Sequence, residues 1–412
     1  MNRRLTSAAL DFPETEEPLQ RVVGCLRGAD PGPTLICIGG LHGNEPAGVQ
    51  ALRRVFQTLS RDPSLLICGE FVGLIGNLAA LSEGRRFLAK DLNRQWRVEV
   101  VRRKEGSCGS IDEAAEDRER RELLAELDRV FGRARDETFA LDLHTTSGES
   151  VPFVAMGDTL RNRRFALRFP LPMILGLEEH LDGTISEFLT LSGHTTITVE
   201  TGQHASPAAV SNAEAAIWLA LGEAGLLEAS ETARVRSARQ RLGRAAQGVP
   251  RFLELRYRHP IFPGDGFRME PGFTNFDPVA PDQLLGVNNR GEIRSRWRGR
   301  VLMPLYQELG EDGFFIVREF RRLWLSISAL LRRLRIDAVV HWLPGITRHR
   351  SRPGTLVVDR KILRWYSMEA LHLLGFRRQR ALGDLLLVSR RQHAADRGKK
   401  ANSRSERRAA SR

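Results

Sequence analysis

Thr34-Leu35-Ile36-Cys37-Ile38-Gly39-Gly40-Leu41-His42-Gly43-Asn44-Glu45-Pro46 is the stretch that decides the fold class of this chain. Leu35–Ile38 is a short apolar run that reads as a buried strand, and two glycines end it. Pro46 then opens a helical pattern reaching Leu59, proline being favoured at the first helical position. Strand, turn and helix in that order are the repeating unit of α/β layering. His42 and Glu45 fall in the turn, where open α/β sheets build their sites, beyond the carboxyl ends of the strands. A second run, Phe139-Ala140-Leu141-Asp142-Leu143, leads to His144 in the same way.

Further strands are expected at 21–26, 67–73, 152–155, 173–175 and 195–200, with helices at 111–131 and 207–227. Ser206 is a candidate N-cap for the last of these. Residues 1–227 therefore read as an α/β domain. The stretch 228–250 is polar, basic and helix-prone, and reads as a connector. From 251 to 320 strands alternate with turn signals such as Pro263-Gly264-Asp265-Gly266 and Asn288-Asn289-Arg290-Gly291, which suggests a small β barrel or sandwich. Residues 321–389 read as an arginine-rich helical extension. Beyond Arg390 apolar residues nearly vanish, so 390–412 is expected to be a disordered basic tail.

The chain has 412 residues, 42% of them hydrophobic, enough to fill a proper core. No apolar run approaches the roughly 20 residues that span a bilayer. Asp11, Glu14, Glu16 and Glu17 interrupt the place where a secretory signal would carry its apolar region. Cys25, Cys37, Cys68 and Cys108 are dispersed, without C-x-x-C spacing, and Cys37 and Cys68 read as small strand hydrophobes. A reducing, cytoplasmic location is expected. The net charge of +13 is unevenly held: residues 321–412 carry 23 Lys/Arg against 6 Asp/Glu, whereas 1–320 carry 40 against 44. The basicity belongs to the C-terminal part.

H-x-x-E is a short pattern, common by chance on solvated helix faces; its place past a buried strand gives it weight here. His42, Glu45 and His144 could together hold one zinc ion. Two imidazoles and a carboxylate leave one tetrahedral position open for water, the arrangement of a catalytic site, where the metal lowers the pKa of that water. Amide hydrolysis also needs a proton carrier and a donor for the developing oxyanion. The strand Thr195–Val199 ends at Glu200, followed by Thr201-Gly202. A carboxylate at the end of an apolar strand is costly unless it is paired or functional, so Glu200 is the candidate general base. The segment Arg86-Phe87-Leu88-Ala89-Lys90-Asp91-Leu92-Asn93-Arg94 supplies Arg86, Asn93 and Arg94, which can grip a carboxylate and a polarised carbonyl.

These blocks, Gly40-Leu41-His42-Gly43-Asn44-Glu45, Arg86 through Arg94, Asp142-Leu143-His144 and Val199-Glu200-Thr201-Gly202, resemble the succinylglutamate desuccinylase/aspartoacylase family in order and spacing. That family is a branch related to the zinc carboxypeptidases. The resemblance implies a mixed α/β sheet flanked by helices and followed by a small β-domain, reaching over roughly residues 20–320; the basic extension lies outside it. It further implies His42, Glu45 and His144 as ligands of one zinc, Glu200 as general acid/base and Arg86 as oxyanion stabiliser. Asn93 and Arg94 would bind a substrate carboxylate, and Asp142 would orient a ligand histidine. Two positions depart from aspartoacylase-like members: Thr190 stands where they carry a substrate arginine, and Tyr306 has no clear equivalence to their substrate tyrosine. His204 reads as a loop histidine.

The sequence thus points to a zinc-dependent amidohydrolase that removes an N-acyl group from an amino acid or related small carboxylate. The alternative is a metallocarboxypeptidase acting on peptides or peptidoglycan fragments. A third reading makes the basic C-terminal part a binder of nucleic acid or an anionic membrane surface. A solubilising face is the preferred account of that charge, since no aromatic stacking pattern or nucleic-acid motif accompanies it. The oligomeric state is not legible.

Overall fold

The structure is a computed structural model and describes residues 19–62, 65, 68–104, 114–227, 232–307, 310–349, 354–359, 368–382 and 385–389. The tail 390–412, expected to be disordered, lies outside the described residues. In the N-terminal half the strands are β1 (Val22–Arg27), β2 (Asp30–Gly39), β3 (Cys68–Ile75), β4 (Thr138–Thr146), β5 (Phe153–Ala155), β6 (Met173–Leu175) and β7 (Thr195–Gln203). They are followed by β8 (Phe252–Pro260), β9 (Arg268–Met269), β10 (Pro278–Val279), β11 (Leu284–Asn288), β12 (Gly291–Arg294), β13 (Gly299–Leu302) and β14 (Asp312–Glu319). The last are β15 (Ile346–Arg348), β16 (Thr355–Asp359), β17 (Arg378–Leu382) and β18 (Leu385–Ser389).

One mixed sheet runs through most of the molecule in the order β1-β3-β2-β4-β7-β5-β6-β8-β14-β13-β10. Its centre is parallel: β2 pairs with β3 and β4, and β4 with β7. Parallel strands are covered on both faces and so lack alternation. In β2, Leu35 and Cys37 pack under helices Ala47–Arg61 and Pro207–Glu223, while Ile36 and Ile38 pack on the other face with Trp96, Leu123 and Leu127. Each such fully buried aliphatic side chain contributes about 1.5–3 kcal/mol. Ser206 caps the helix at 207, accepting a hydrogen bond from the Ala208 amide. Pro46 is the N-cap residue of the first helix, one position earlier than the sequence suggests.

The stretch 228–250, read as a helix-prone connector, is largely helical among its described residues. It contains helix Thr232–Ala245, whose Ala238 and Leu242 are buried in the same core as helix Pro207–Glu223. Gly222 permits that approach: a Cβ there would stand 2.7 Å from Val235 Cγ2. The polar composition reflects the outer face of this helix, since only a narrow stripe of it is buried.

Residues 251–320 extend the same sheet. β8 pairs in parallel with β6 and antiparallel with β14, so the backbone ladder crosses from the α/β body without a break. β9, β11 and β12 form a separate small sheet, and Met269, Val279, Leu285, Val301, Phe314 and Ile316 make a local core.

The extension after residue 320 is only partly helical, which corrects the sequence expectation. Helix Arg322–Arg333 is followed by two 3-10 turns and by a four-stranded antiparallel sheet in the order β15-β16-β18-β17. Leu356 and Val358 in β16, and Leu386 and Val388 in β18, alternate inward into its core. Runs such as Leu385-Leu386-Leu387-Val388 are apolar throughout, and periodicity alone cannot separate a strand from a helix there.

Candidate metal centre and active site

Three parallel strands deliver the site. β2 ends at Gly39, and the turn that follows carries His42 and Glu45 before the helix at Ala47. β4 and β7 pair with His144 opposite Glu200 and Asp142 opposite Thr198, so His144, Asp142 and Glu200 share one face at the carboxyl ends. Glycine is required at 43: an added Cβ would stand 2.1 Å from the Ala80 carbonyl carbon and 2.4 Å from the Arg85 oxygen. The Gly43 amide instead donates to the Arg86 carbonyl at 3.2 Å, which ties the His42 turn to the Arg86–Arg94 segment.

His42, Glu45 and His144 are buried and offer ligand atoms within 4.8 Å of one another. His42 Nδ1 lies 2.8 Å from Glu45 Oε1, and His144 Nδ1 lies 3.1 Å from Glu45 Oε2, so both Nδ1 atoms face the carboxylate. Each outer nitrogen has its own acid: His42 Nε2 is 3.2 Å from Asp91 Oδ1, and His144 Nε2 is 3.1 Å from Asp142 Oδ2. A ligand imidazole whose other nitrogen is held by a carboxylate keeps its orientation and gains basicity. Burial alone would push the Glu45 carboxyl up, but the two imidazoles outweigh it and hold it well below the usual range. Burial would lower the His144 imidazole, yet Asp142 and Glu45 raise it well above its usual value. Two nitrogens, one carboxylate and two orienting acids fit a divalent zinc ion, and His42, Glu45 and His144 are the residues that would hold it.

Glu200 stands beside this trio, and its Oε2 has no hydrogen-bond partner among the described residues. Burial pushes its carboxyl up to about 8; His144 and Arg86 pull against this, while Glu45 and Asp142 add to it. A buried carboxylate oxygen without a partner is expensive to keep unless it meets a ligand. Arg86 donates to Asp91 at 3.1 Å and sits 3.7 Å from Glu45. A narrow cavity of about 90 Å³ joins these groups, with Arg86, Arg94, His144, Glu200 and His204 on its wall. Met303, Leu305, Gln307 and Glu311 close it from the β-rich side.

The sequence-derived residues divide here. His42, Glu45, His144, Glu200, Arg86 and Arg94 meet at the cavity, and Asp142 lies behind His144. Asn93 is not on the cavity wall: its Oδ1 accepts from the Ile185 amide at 2.9 Å, and its Nδ2 is 3.4 Å from His144 Nε2. Arg94 meets Glu311 at 3.3 Å. Thr190 is buried and accepts from Asn162 at 3.1 Å. The hydroxyl of Tyr306 donates to the Glu270 carbonyl and accepts from the Phe273 amide, each at 2.9 Å.

Sequence reading passed over Asp91 and the Arg94–Glu311 pairing, and read His204 as a loop histidine rather than as part of the site. Asp91 matches Asp142 in its role toward a histidine, and the signal was its place between Arg86 and Asn93 in a block already singled out. His204 is a wall residue, its Nδ1 lying 2.7 Å from Thr145 Oγ1, next to His144 in the chain. The pairing of Arg94 with Glu311 spans 217 positions and had no local signal.

The description "Succinylglutamate desuccinylase/Aspartoacylase catalytic domain" matches residues 31–243, just over half of the chain. A succinylglutamate desuccinylase of Pseudomonas paraeruginosa is 34% identical over 116 residues, 28% of this chain and 32% of that protein. The chain thus aligns with about a third of the length of this curated relative. Among solved structures, a succinylglutamate desuccinylase/aspartoacylase from Rhodobacter sphaeroides superposes with a TM-score of 0.51 at 18% identity, covering 73% of this chain and 88% of that one. The ectoine utilization protein EutE (DoeB) from Ruegeria pomeroyi gives 0.51 at 19%, covering 71% and 87%. These two likenesses speak for the fold alone. With the catalytic-domain match spanning the turn of His42, the strand of His144 and the strand of Glu200, the chain belongs to the succinylglutamate desuccinylase/aspartoacylase family.

Proposed function

We propose that this chain hydrolyses the amide bond of an N-acyl amino acid or a related small carboxylate, using one zinc ion held by His42, Glu45 and His144. The observation that carries the reading is the buried Oε2 of Glu200, without a hydrogen-bond partner among the described residues, on the same sheet face as His144 and beside a cavity that also holds two arginines. Zinc bound there supplies a Lewis acid and a water of lowered pKa. Glu200 takes the proton of the attacking water on Oε2 and returns it to the leaving nitrogen. Arg86, kept in place by Asp91, neutralises charge developing on the scissile carbonyl oxygen. Arg94 takes the substrate carboxylate in exchange for Glu311. Asp91 and Asp142 position His42 and His144. Asn93, bonded to the Ile185 amide, acts as support for His144 in this reading.

The cavity's small volume favours an acyl amino acid over a peptide, which sets this reading above the carboxypeptidase alternative. A metal-replete screen of N-acyl amino acids against dipeptides, following both products by mass spectrometry, tests the substrate class. Glu200→Gln tests the mechanism: zinc content and substrate binding persist while kcat falls by roughly 10²–10⁴-fold. Normal turnover in that variant, or release of the metal, would overturn the assignment.

A further inference from the structure

The exposed apolar surface is concentrated in one place. Among the described residues, eight of the eleven large exposed hydrophobic side chains fall between Leu323 and Leu343. In helix Arg322–Arg333 and the residue after it, Leu323, Leu330 and Leu334 recur at helical spacing and make one outward stripe, each more than half exposed. The opposite face is locked to the body: Ser328 donates to the Leu373 carbonyl and accepts from Arg163, and Arg332 bridges Asp158 at 2.7 Å. The helix therefore cannot roll to hide the stripe. Arg335 then adopts a left-handed backbone (φ 56°), and two 3-10 turns carry Ile336 and Trp342 outward, with Trp342 77% exposed. Exposed apolar side chains gathered in one short stretch of chain in this way point to an interaction surface.

Charge identifies the occupant. Arg321, Arg322, Arg333, Arg335 and Arg348 are exposed around the patch, and Asp337 is the one acidic residue in the sequence from 321 to 349. A second copy meeting this face isologously would bring two cationic surfaces together. A nucleic acid would engage the arginines and leave the leucine stripe in water. The sequence 390–412 offers the stripe no aliphatic side chain larger than alanine, and its nine Lys/Arg carry the same sign as the arginines around the patch. An anionic bilayer satisfies both halves of the pattern: apolar side chains enter the acyl boundary, tryptophan sits at the headgroup level, and arginines meet lipid phosphates. No described helix is long and apolar enough to cross a membrane, so such contact is peripheral.

We propose that residues 321–348 dock this protein on an anionic phospholipid surface, with Leu323, Leu330, Leu334 and Trp342 entering the interface between flanking arginines. The full-length protein is mixed with large vesicles of phosphatidylcholine, or of phosphatidylcholine with one third phosphatidylglycerol, and sedimented. Binding to the anionic vesicles alone, weakening as salt rises, is the expected result. Arg322→Glu with Arg333→Glu lowers the partition coefficient by at least roughly fivefold per position. Trp342→Ala with Leu334→Ala lowers it by tenfold or more, without change in circular dichroism, because these side chains are exposed and carry no fold contacts of weight. Absence of sedimentation at low salt, or equal binding to neutral vesicles, overturns the proposal. So does a concentration-dependent dimer that Trp342→Ala abolishes, or polyanion binding in which the arginine reversals act and the Trp342/Leu334 pair does not.

Discussion

Asp158→Ala should detach the C-terminal extension from the α/β body, and the structure sets the scale of the loss. Asp158 is buried and receives three arginines: Arg163 from the adjacent helix at 2.5 Å, and Arg332 and Arg377 from the extension at 2.7 and 2.6 Å. Those guanidinium side chains are 5, 9 and 6% exposed, so removing the carboxylate leaves them without water to replace it. Burial works against the Asp158 carboxylate, yet the three cations hold it well below the usual range. Burial also pushes Arg163 down to about 10, the Asp158 carboxylate opposing it and Arg332 and Arg377 adding to it. Breaking a buried ion pair by removing one partner costs about 3–5 kcal/mol. Arg377 retains Glu254 at 2.6 Å, and Arg163 retains Ser328, which keeps the cost from tripling with the number of cations. Urea unfolding followed by two probes should show an early transition from the extension, shifted by about that amount. Trypsin should cut after Arg333 or Arg335 faster than in the parent chain. Asp158→Asn, which keeps shape and one acceptor, should lose less. A change under about 1 kcal/mol, the scale of an ordinary surface substitution, together with unchanged proteolysis would falsify this account of the anchoring.

Other expectations concern the site and the pH range. His144→Ala removes a ligand and its link to Asp142, so bound zinc, about one per chain in the parent, should fall to a small fraction by metal analysis. Arg94→Ala should raise KM roughly 10- to 100-fold for substrates bearing a carboxylate, the loss of a charge-assisted hydrogen bond, with little change in kcat. An amide analogue of the same substrate should not distinguish variant from parent. His194 stacks on Phe131 with ring centres 3.9 Å apart, and burial and then Arg161 push its imidazole from 6.5 down to about 4. The unfolded chain then binds a proton that the fold refuses, so this contribution to stability is whole above pH 6.5 and is lost as pH falls toward 4. His194→Phe should flatten the stability profile in that window, and an unchanged slope would mean that other groups dominate it.

Much was legible in the sequence because it is local. Leu35–Ile38 and Phe139–Leu143 lie in strands because a parallel sheet covered on both faces demands unbroken apolar runs, and the glycines after Ile38 place the turn of His42 and Glu45. Ser206 and Pro207 announced the helix they begin, since capping depends on neighbours two residues away. Other features needed the folded chain. Which nitrogen of His42 and His144 faces Glu45 follows from Asp91 and Asp142 occupying the far side, and Asp91 arrives on a segment 49 positions away. Arg94 meets Glu311, and Asp158 gathers Arg332 and Arg377, across separations of 217, 174 and 219 residues. The four-stranded sheet at the end of the chain was hidden for a related reason: a continuously apolar segment becomes strand or helix according to the partner that buries it. Periodicity and capping act through nearest neighbours and are written along the chain, whereas charge pairing and burial depend on distance in space, which only the tertiary structure decides.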